Sequence, residues 1–180
     1  MKVAVFGGTG FIGSYVVEAL LDGGHDPVLL VREGSEQKVV RKDECQIVIG
    51  HIADEESVKK TLSDSEAVIY LLGIIREFRR KGITYEALHF AGAKECMKKA
   101  QKLDVRRFLL MSANGVKPEG TGYQITKYLA EEYLKTTDLE YTIFRPSLVF
   151  GNPRGQNRPE FCTQLRDQLI RLPLPAPLFY

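Results

Sequence analysis

Cysteine is scarce in this chain and neither sign of charge dominates. Three cysteines, Cys45, Cys96 and Cys162, stand far apart, with no C-x-x-C and no metal-ligand spacing. An odd, dispersed set excludes a disulfide framework and points to reduced thiols in a cytoplasmic setting. A formal net charge of +2 gives no field that would recruit nucleic acid or a charged membrane surface. Long apolar runs are missing too: no stretch is long enough to span a bilayer, and the apolar start breaks at Gly7, too early for a signal h-region. What remains is a composition of 44% hydrophobic and 27% charged residues over 180 positions, enough for about one domain with a real core.

Against that plain background one stretch stands out. Val3-Ala4-Val5-Phe6 reads as a buried-type strand and runs into Gly7-Gly8-Thr9-Gly10-Phe11-Ile12-Gly13, behind which a helical period opens. Gly8, Gly10 and Gly13 fit G-x-G-x-x-G, while Gly7, Gly10 and Gly13 fit G-x-x-G-x-x-G, and the sequence leaves both registers open. Glycines at such spacing permit a tight turn, backbone approach to a pyrophosphate and close helix–strand packing. The helix N-terminus then offers N–H groups and the positive end of its dipole to phosphate. Nucleotide binding by residues 7 to 13 is the expectation.

The rest of the chain alternates. Strands are predicted at Lys2–Phe6, Pro27–Arg32, Gln46–Ile49, Ala67–Leu72, Arg107–Met111 and Tyr141–Arg145, each apolar on both alternations. Helical periods lie at Phe11–Asp22, near Ser35–Arg41, and at Glu55–Leu62, Thr84–Lys102, Gly122–Thr136 and Glu160–Arg171. This order predicts an α/β fold, a Rossmann-type doubly wound parallel sheet with helices on both faces. The dinucleotide-binding domain is expected over 1–151, and 152–180 as the start of a C-terminal substrate region. Prolines alternate through Leu172–Tyr180, which forbids a helix or central strand there, and the apolar ending reads as an interrupted chain whose substrate-facing part is missing.

Tyr123 and Lys127, four apart on the helix after the fifth strand, lie on one helical face. A lysine ammonium there stabilises a phenolate and can lower the tyrosine pKa from about 10, fitting Tyr123 for general acid–base work beside a nicotinamide. The lysine can also hydrogen-bond the cofactor ribose.

Together, the glycine turn and Tyr123-x-x-x-Lys127 resemble the short-chain dehydrogenase/reductase superfamily, over essentially the whole chain. Residues 68–77 (VIYLLGIIRE), 108–115 (FLLMSANG) and 142–151 (TIFRPSLVFG) are similar to its atypical branch, which includes the NADPH-binding accessory subunit of respiratory complex I and bacterial epimerase/dehydratase-like relatives. The resemblance implies a third catalytic residue, Ser112, with Asn114 as a weaker polar alternative. It implies cofactor contacts from Leu72, Gly73 and Ile74 after strand four, and from Pro146, Ser147 and Val149 after strand six. His51 stands where the family usually has the acid that meets adenine, and Ile52 follows as the residue packing on the adenine face. The stretch between Ser112 and Tyr123 is shorter than in active extended enzymes, which puts substrate chemistry in question. Superfamily members commonly dimerise through helices matching Thr84–Lys102 and Gly122–Thr136, so the resemblance leaves a homodimer through that pair open.

Cofactor choice turns on the tip of strand two. Arg32 there favours the 2′-phosphate of NADP(H), while Glu33 beside it argues for NAD(H). Asp54 reads as the N-cap of the Glu55–Leu62 helix. Arg76, Arg79, Arg80 and Lys81 can bind an anionic substrate but read more simply as one solvated basic turn. His89 reads as a packed helix histidine, Lys98, Lys99, Lys102, Arg106 and Arg107 as cations near a helix C-terminus, and Tyr128 as facing away from the site. Two functions result: an NADP(H)-dependent oxidoreductase or epimerase on a small carbonyl, hydroxyl or nucleotide-sugar substrate, or a non-catalytic NADP(H)-binding module. An assembly protein is a third and weaker reading.

Overall fold

Strands that are apolar on both sides need cover on both sides, and the chain supplies it. A computed structural model describes residues 1–154 and 160–171. Strands β1 (Lys2–Phe6), β2 (Asp26–Val31), β3 (Gln46–Ile49), β4 (Ala67–Tyr70), β5 (Arg107–Met111) and β6 (Glu140–Phe144) form one sheet in the order β3-β2-β1-β4-β5-β6, every pairing parallel. Helices α1 (Phe11–Asp22), α2 (Glu55–Leu62), α3 (Gly92–Lys102) and α4 (Gly122–Lys135) connect the strands, and α5 (Phe161–Arg171) follows β6. This is the expected Rossmann-type fold. The strand order reverses between β1 and β4, where open α/β sheets leave a crevice at the strand ends.

One face of the sheet buries Phe6, Tyr70, Phe108, Met97 and Leu134, and the other Val3, Val5, Val17 and Leu29. Phe6, Tyr70 and Phe108 stack across β1, β4 and β5 with ring centroids 5.9 and 6.3 Å apart. The Tyr70 hydroxyl, deep in this core, donates to the Leu88 carbonyl at 2.8 Å.

That bond explains a departure from the expected helix over Thr84–Lys102. Residues Glu86–Ala91 form a π-helix, and only from Gly92 does α3 become α-helical. The Gly92 N–H bonds to the Ala87 carbonyl, five residues back, while the Leu88 carbonyl it would take in an α-helix is held by Tyr70. Two smaller differences have local causes. Strand β4 stops at Tyr70 rather than Leu72 because β1 turns away at Gly7, leaving Leu71 N–H to Phe6 O as the last rung. The segment at 35–41 contributes only a 3-10 turn at Glu36–Lys38. Asp54 caps α2 as expected, its side chain accepting from the Glu56 N–H. The proline-rich stretch 172–180 lies outside the described residues.

Beyond β6 the chain is strapped onto α1. The Arg154 guanidinium sits 3.6 Å over the Tyr15 ring and pairs with Glu18 at 2.5 Å, and the Tyr15 hydroxyl donates to the Asn152 carbonyl. Buried Glu160 then accepts from the Cys162 and Thr163 N–H groups, starting α5 with Phe161 at its head.

Candidate functional site

The glycine turn settles into one register. Gly7 adopts a φ of 98°, a left-handed value that side chains resist, and the Gly10 N–H donates back to its carbonyl at 3.1 Å. Gly13 lies so close beneath the turn that a Cβ there would come within 2.1 Å of the Gly7 carbonyl oxygen. Gly7, Gly10 and Gly13 are therefore the working triplet, and Gly8 is small because Leu29 packs against it. No side chain caps α1 and no acid occupies its first turn, so its N-terminal N–H groups face the crevice with the dipole uncompensated. The cradle fits a pyrophosphate.

Helix α4 begins with a capping box, Thr121 and Gln124 satisfying each other's backbone N–H groups, which fixes the azimuth of the residues behind it. Tyr123, Lys127 and Glu131 then follow at four-residue spacing on one face. Lys127 is buried, and its Nζ donates to the Met111 carbonyl at 2.7 Å. Burial pulls its pKa down to about 8, with the Glu131 carboxylate acting in the opposite direction. Glu131 is fully buried; desolvation acts against its charge, but the half-exposed Arg145 grips both carboxylate oxygens and holds the acid below its usual range. Ser112 is buried at the end of β5; its Oγ makes no hydrogen bond of ordinary geometry, yet it lies near enough to Glu131 to help hold that carboxylate charged.

Tyr123 corrects one expectation. Its pKa is raised rather than lowered, first by burial and then by the nearby Tyr85 phenol, because its ring sits edge-on against Tyr85 and His89 at 5.7 and 5.1 Å. His89 is 1% exposed, and its Nε2 accepts from the Ile74 N–H at 3.0 Å, which assigns its proton to Nδ1, 3.2 Å from Thr126 Oγ1. Burial, then the Lys127 charge, push its pKa down to about 3, so it is a neutral strut at ordinary pH. The π-helix gives His89 and Tyr85 this position together.

A cavity of about 710 Å³ opens over the strand ends. Gly7, Gly10, Phe11, Ile12 and Gly13 line it from the first turn, Gly73 and Ile74 from the end of β4, and Ser112, Tyr123 and Lys127 from β5 and α4. Pro146, Ser147 and Val149 close it from beyond β6. The other residues that the sequence assigned to the cofactor do not line it. Gly8 packs inward, Thr9 is half-buried in the turn, and Leu72 is half-buried against the core. Ile52 is buried in the core, and His51 is exposed, its Nδ1 accepting from the Ala53 N–H. Arg32 and Glu33 share an exposed turn after β2. The basic group at 76–81 is divided rather than one turn: Arg76 lines the cavity, whereas Arg79, Arg80 and Lys81 form a 3-10 turn outside it. Sequence reasoning missed Glu131, Arg145 and Tyr85. Glu131 carried a signal, since a charge four residues past Lys127 falls on the buried stripe of α4.

Residues 7–165 match a family model described as NAD(P)H-binding. The chain belongs to that NAD(P)H-binding family. It is 26% identical over 149 residues to a ceramide reductase of Caulobacter vibrioides, covering 83% of this chain and 46% of that protein. It is 28% identical over 152 residues to the 40 kDa subunit of mitochondrial NADH-ubiquinone oxidoreductase from Neurospora crassa, covering 82% and 40%. The chain thus spans less than half the length of these two relatives. Its fold is similar to UDP-glucuronic acid 4-epimerase from Bacillus cereus in complex with NAD, at a TM-score of 0.70 and 21% identity, over 86% of this chain and 58% of that one. Within this NAD(P)H-binding chain, the glycine turn supplies backbone and α4 supplies Tyr123 and Lys127, and the two meet in a single cavity. No helix among the described residues is long and apolar enough to cross a membrane.

Proposed function

We propose that the chain binds NADP(H) across the β1–β4 crevice and exchanges a proton between Tyr123 and the oxygen of a carbonyl or hydroxyl substrate, in an oxidoreductase or epimerase reaction. One observation carries this reading: Tyr123, Lys127 and Ser112 line the same cavity as the bare N-terminus of α1. A bound nicotinamide supplies and removes hydride. Lys127, held near the site by the Met111 carbonyl, orients the ribose and favours the phenolate electrostatically. Ser112 offers its hydroxyl to the substrate oxygen. His89, Tyr85 and the strand ends exclude water on the side of the phenol ring, which keeps the proton on Tyr123 until a partner oxygen arrives. Arg32 supports NADP(H): its guanidinium pairs with no carboxylate among the described residues and stands after β2, free to grip a 2′-phosphate. Three unpaired thiols support a reducing, cytoplasmic setting, and residues from 152 onward would begin the substrate region.

A second reading has two observations in its favour. The raised pKa of Tyr123 and the short connection from Ser112 suit a chain that holds NADP(H) without turnover. The protein loaded with NADPH is assayed against carbonyl and sugar-nucleotide compounds beside Tyr123→Phe. Turnover reduced by about 10²–10⁴ in the variant supports proton transfer by the phenol. Equal turnover in both proteins would remove that role, and tight NADPH binding with no turnover in either would select the binding module.

A further inference from the structure

Arg76 is a charged group at the cavity that neither the cofactor cradle nor the proton machinery uses. The segment carrying it is braced from several directions. The Tyr85 hydroxyl donates to the Ile75 carbonyl at 2.5 Å, the Glu77 carboxylate accepts from the Tyr85 N–H at 2.9 Å, and Phe78 pairs with Ile83 in an antiparallel bridge. Glu77 is the nearest acid in sequence, and Arg79 takes it up at 3.0 Å. Arg76 is left with no carboxylate among the described residues, its guanidinium 5.9 Å over the Phe78 ring. The remaining cavity wall is uneven in two ways. Among the described residues it contains no aspartate or glutamate, and Arg76 and Lys127 are its charged side chains. Its mouth also carries large apolar side chains left open: Ile75 is 65% exposed, Leu148 53%, Phe78 50% and Phe161 40%. Exposed apolar residues scattered singly are normal, whereas four around one cavity mark a binding surface. A cation set among them selects an anion carried on an apolar body, because the guanidinium fork matches a carboxylate and the apolar walls lose water to the chain.

We propose that the substrate is an amphiphilic oxo or hydroxy acid, its apolar body lying against Ile75, Phe78, Leu148 and Phe161 and its carboxylate held by Arg76. This rests on the function proposed above for Tyr123, and it names what that site takes.

The test uses decanoates bearing a keto group at carbon 3, 5 or 7, each as free acid and as methyl ester, with the NADPH-loaded protein and with Arg76→Gln. Arg76 is exposed and bonds to no core group, so the variant should melt with the parent. For at least one keto position the acid should have a KM about tenfold below its ester, the size of one charge-assisted contact at a surface. Arg76→Gln should raise the acid's KM to that of the ester while leaving the ester and the affinity for NADPH unchanged. Acid-dependent thermal stabilisation of the parent but not of Arg76→Gln, without turnover, would uphold this subsite and overturn the reaction proposed for Tyr123. Turnover that treats acid and ester alike would uphold the reaction and overturn the subsite. Weakened NADPH binding in Arg76→Gln would also overturn it, by assigning Arg76 to the cofactor. Neither turnover nor stabilisation by any acid would leave the apolar mouth to a protein segment and overturn it as well.

Discussion

Lys127 places a charge where folding disfavours one, and replacing it exposes the cost. Its ammonium is buried, and the fall of its pKa from 10.5 to about 8 means that moving from water into the fold costs the cation roughly 3 kcal/mol more than the neutral amine, although the cation still predominates at pH 7. Lys127→Met keeps the unbranched stem that packs between β5 and α4 and removes the charge. It also removes the Nζ to Met111 carbonyl bond, worth about 1 kcal/mol. At pH 7 the variant should therefore be more stable by about 2 kcal/mol, which for a chain of this size raises Tm by roughly 4–8 °C. The same substitution should abolish turnover.

The pH dependence separates this account from simple repacking. A base whose pKa is depressed on folding binds fewer protons in the native state, so stability rises with pH between the folded and unfolded values. For Lys127 that window runs from about 8 to 10.5. Wild type should gain on Lys127→Met across it, and the advantage of the variant should shrink until the two melt together or cross near pH 10.5. Tyr70 and Cys96, whose burial pushes their pKa values up, lose stability at high pH in both proteins and cancel in the difference. Thermal melts of the cofactor-free proteins from pH 7 to 10.5 provide the measurement. A variant that melts below wild type at pH 7, or a difference that stays flat across the window, would refute the reasoning.

Two further predictions concern the cofactor. Arg32→Asp should weaken NADPH and strengthen NADH, reversing their order in a fluorescence titration; the chain has no tryptophan to confuse the signal, and equal affinities in wild type would remove the NADP(H) assignment. Gly13→Ala puts a methyl group 2.1 Å from the Gly7 carbonyl and 2.7 Å from the Gly8 Cα, so the turn must move; a stability loss of about 1–3 kcal/mol and lost cofactor binding should follow, and unchanged titration would show the turn is not the cradle.

The sheet was legible because each strand is a short apolar run with helical periods between, and that alternation permits few topologies. The glycine turn was legible in kind but not in register, since two overlapping spacings share Gly10 and Gly13 and only the φ of Gly7 chooses between them. Tyr123 and Lys127 were legible as a pair on one helical face, but the direction of the Tyr123 shift was not, because Tyr85 and His89 reach it from a distant segment. The π-helix that brings them there was hidden for a related reason. It follows from a hydroxyl on β4 claiming a helix carbonyl, a contact that periodicity within the helix does not encode. The basic group at 76–81 looked uniform in sequence, but Arg76 lines the cavity while Glu77 turns to Arg79 and a 3-10 turn carries Arg79, Arg80 and Lys81 outside it.

The two halves of the site are held by opposite means. The cradle is backbone, shaped by what Gly7, Gly10 and Gly13 lack, and at Gly13 the first turn of α1 closes directly on the backbone of Gly7 and Gly8. The α4 half is side chains, and each is in some measure disfavoured: a cation at Lys127, a carboxylate at Glu131 and a phenol at Tyr123 whose ionisation burial opposes. Those costs are tolerable only in combination. Glu131 stays charged because Arg145 grips it from the half-exposed side, and that charge in turn favours the Lys127 cation. Arg145 follows directly after β6, whose neighbour β5 ends at Met111, the carbonyl that fixes Lys127. The sheet edge that positions the lysine therefore also brings the arginine that makes its charge bearable, and the α4 column depends on the β5–β6 pairing as much as on its own helix.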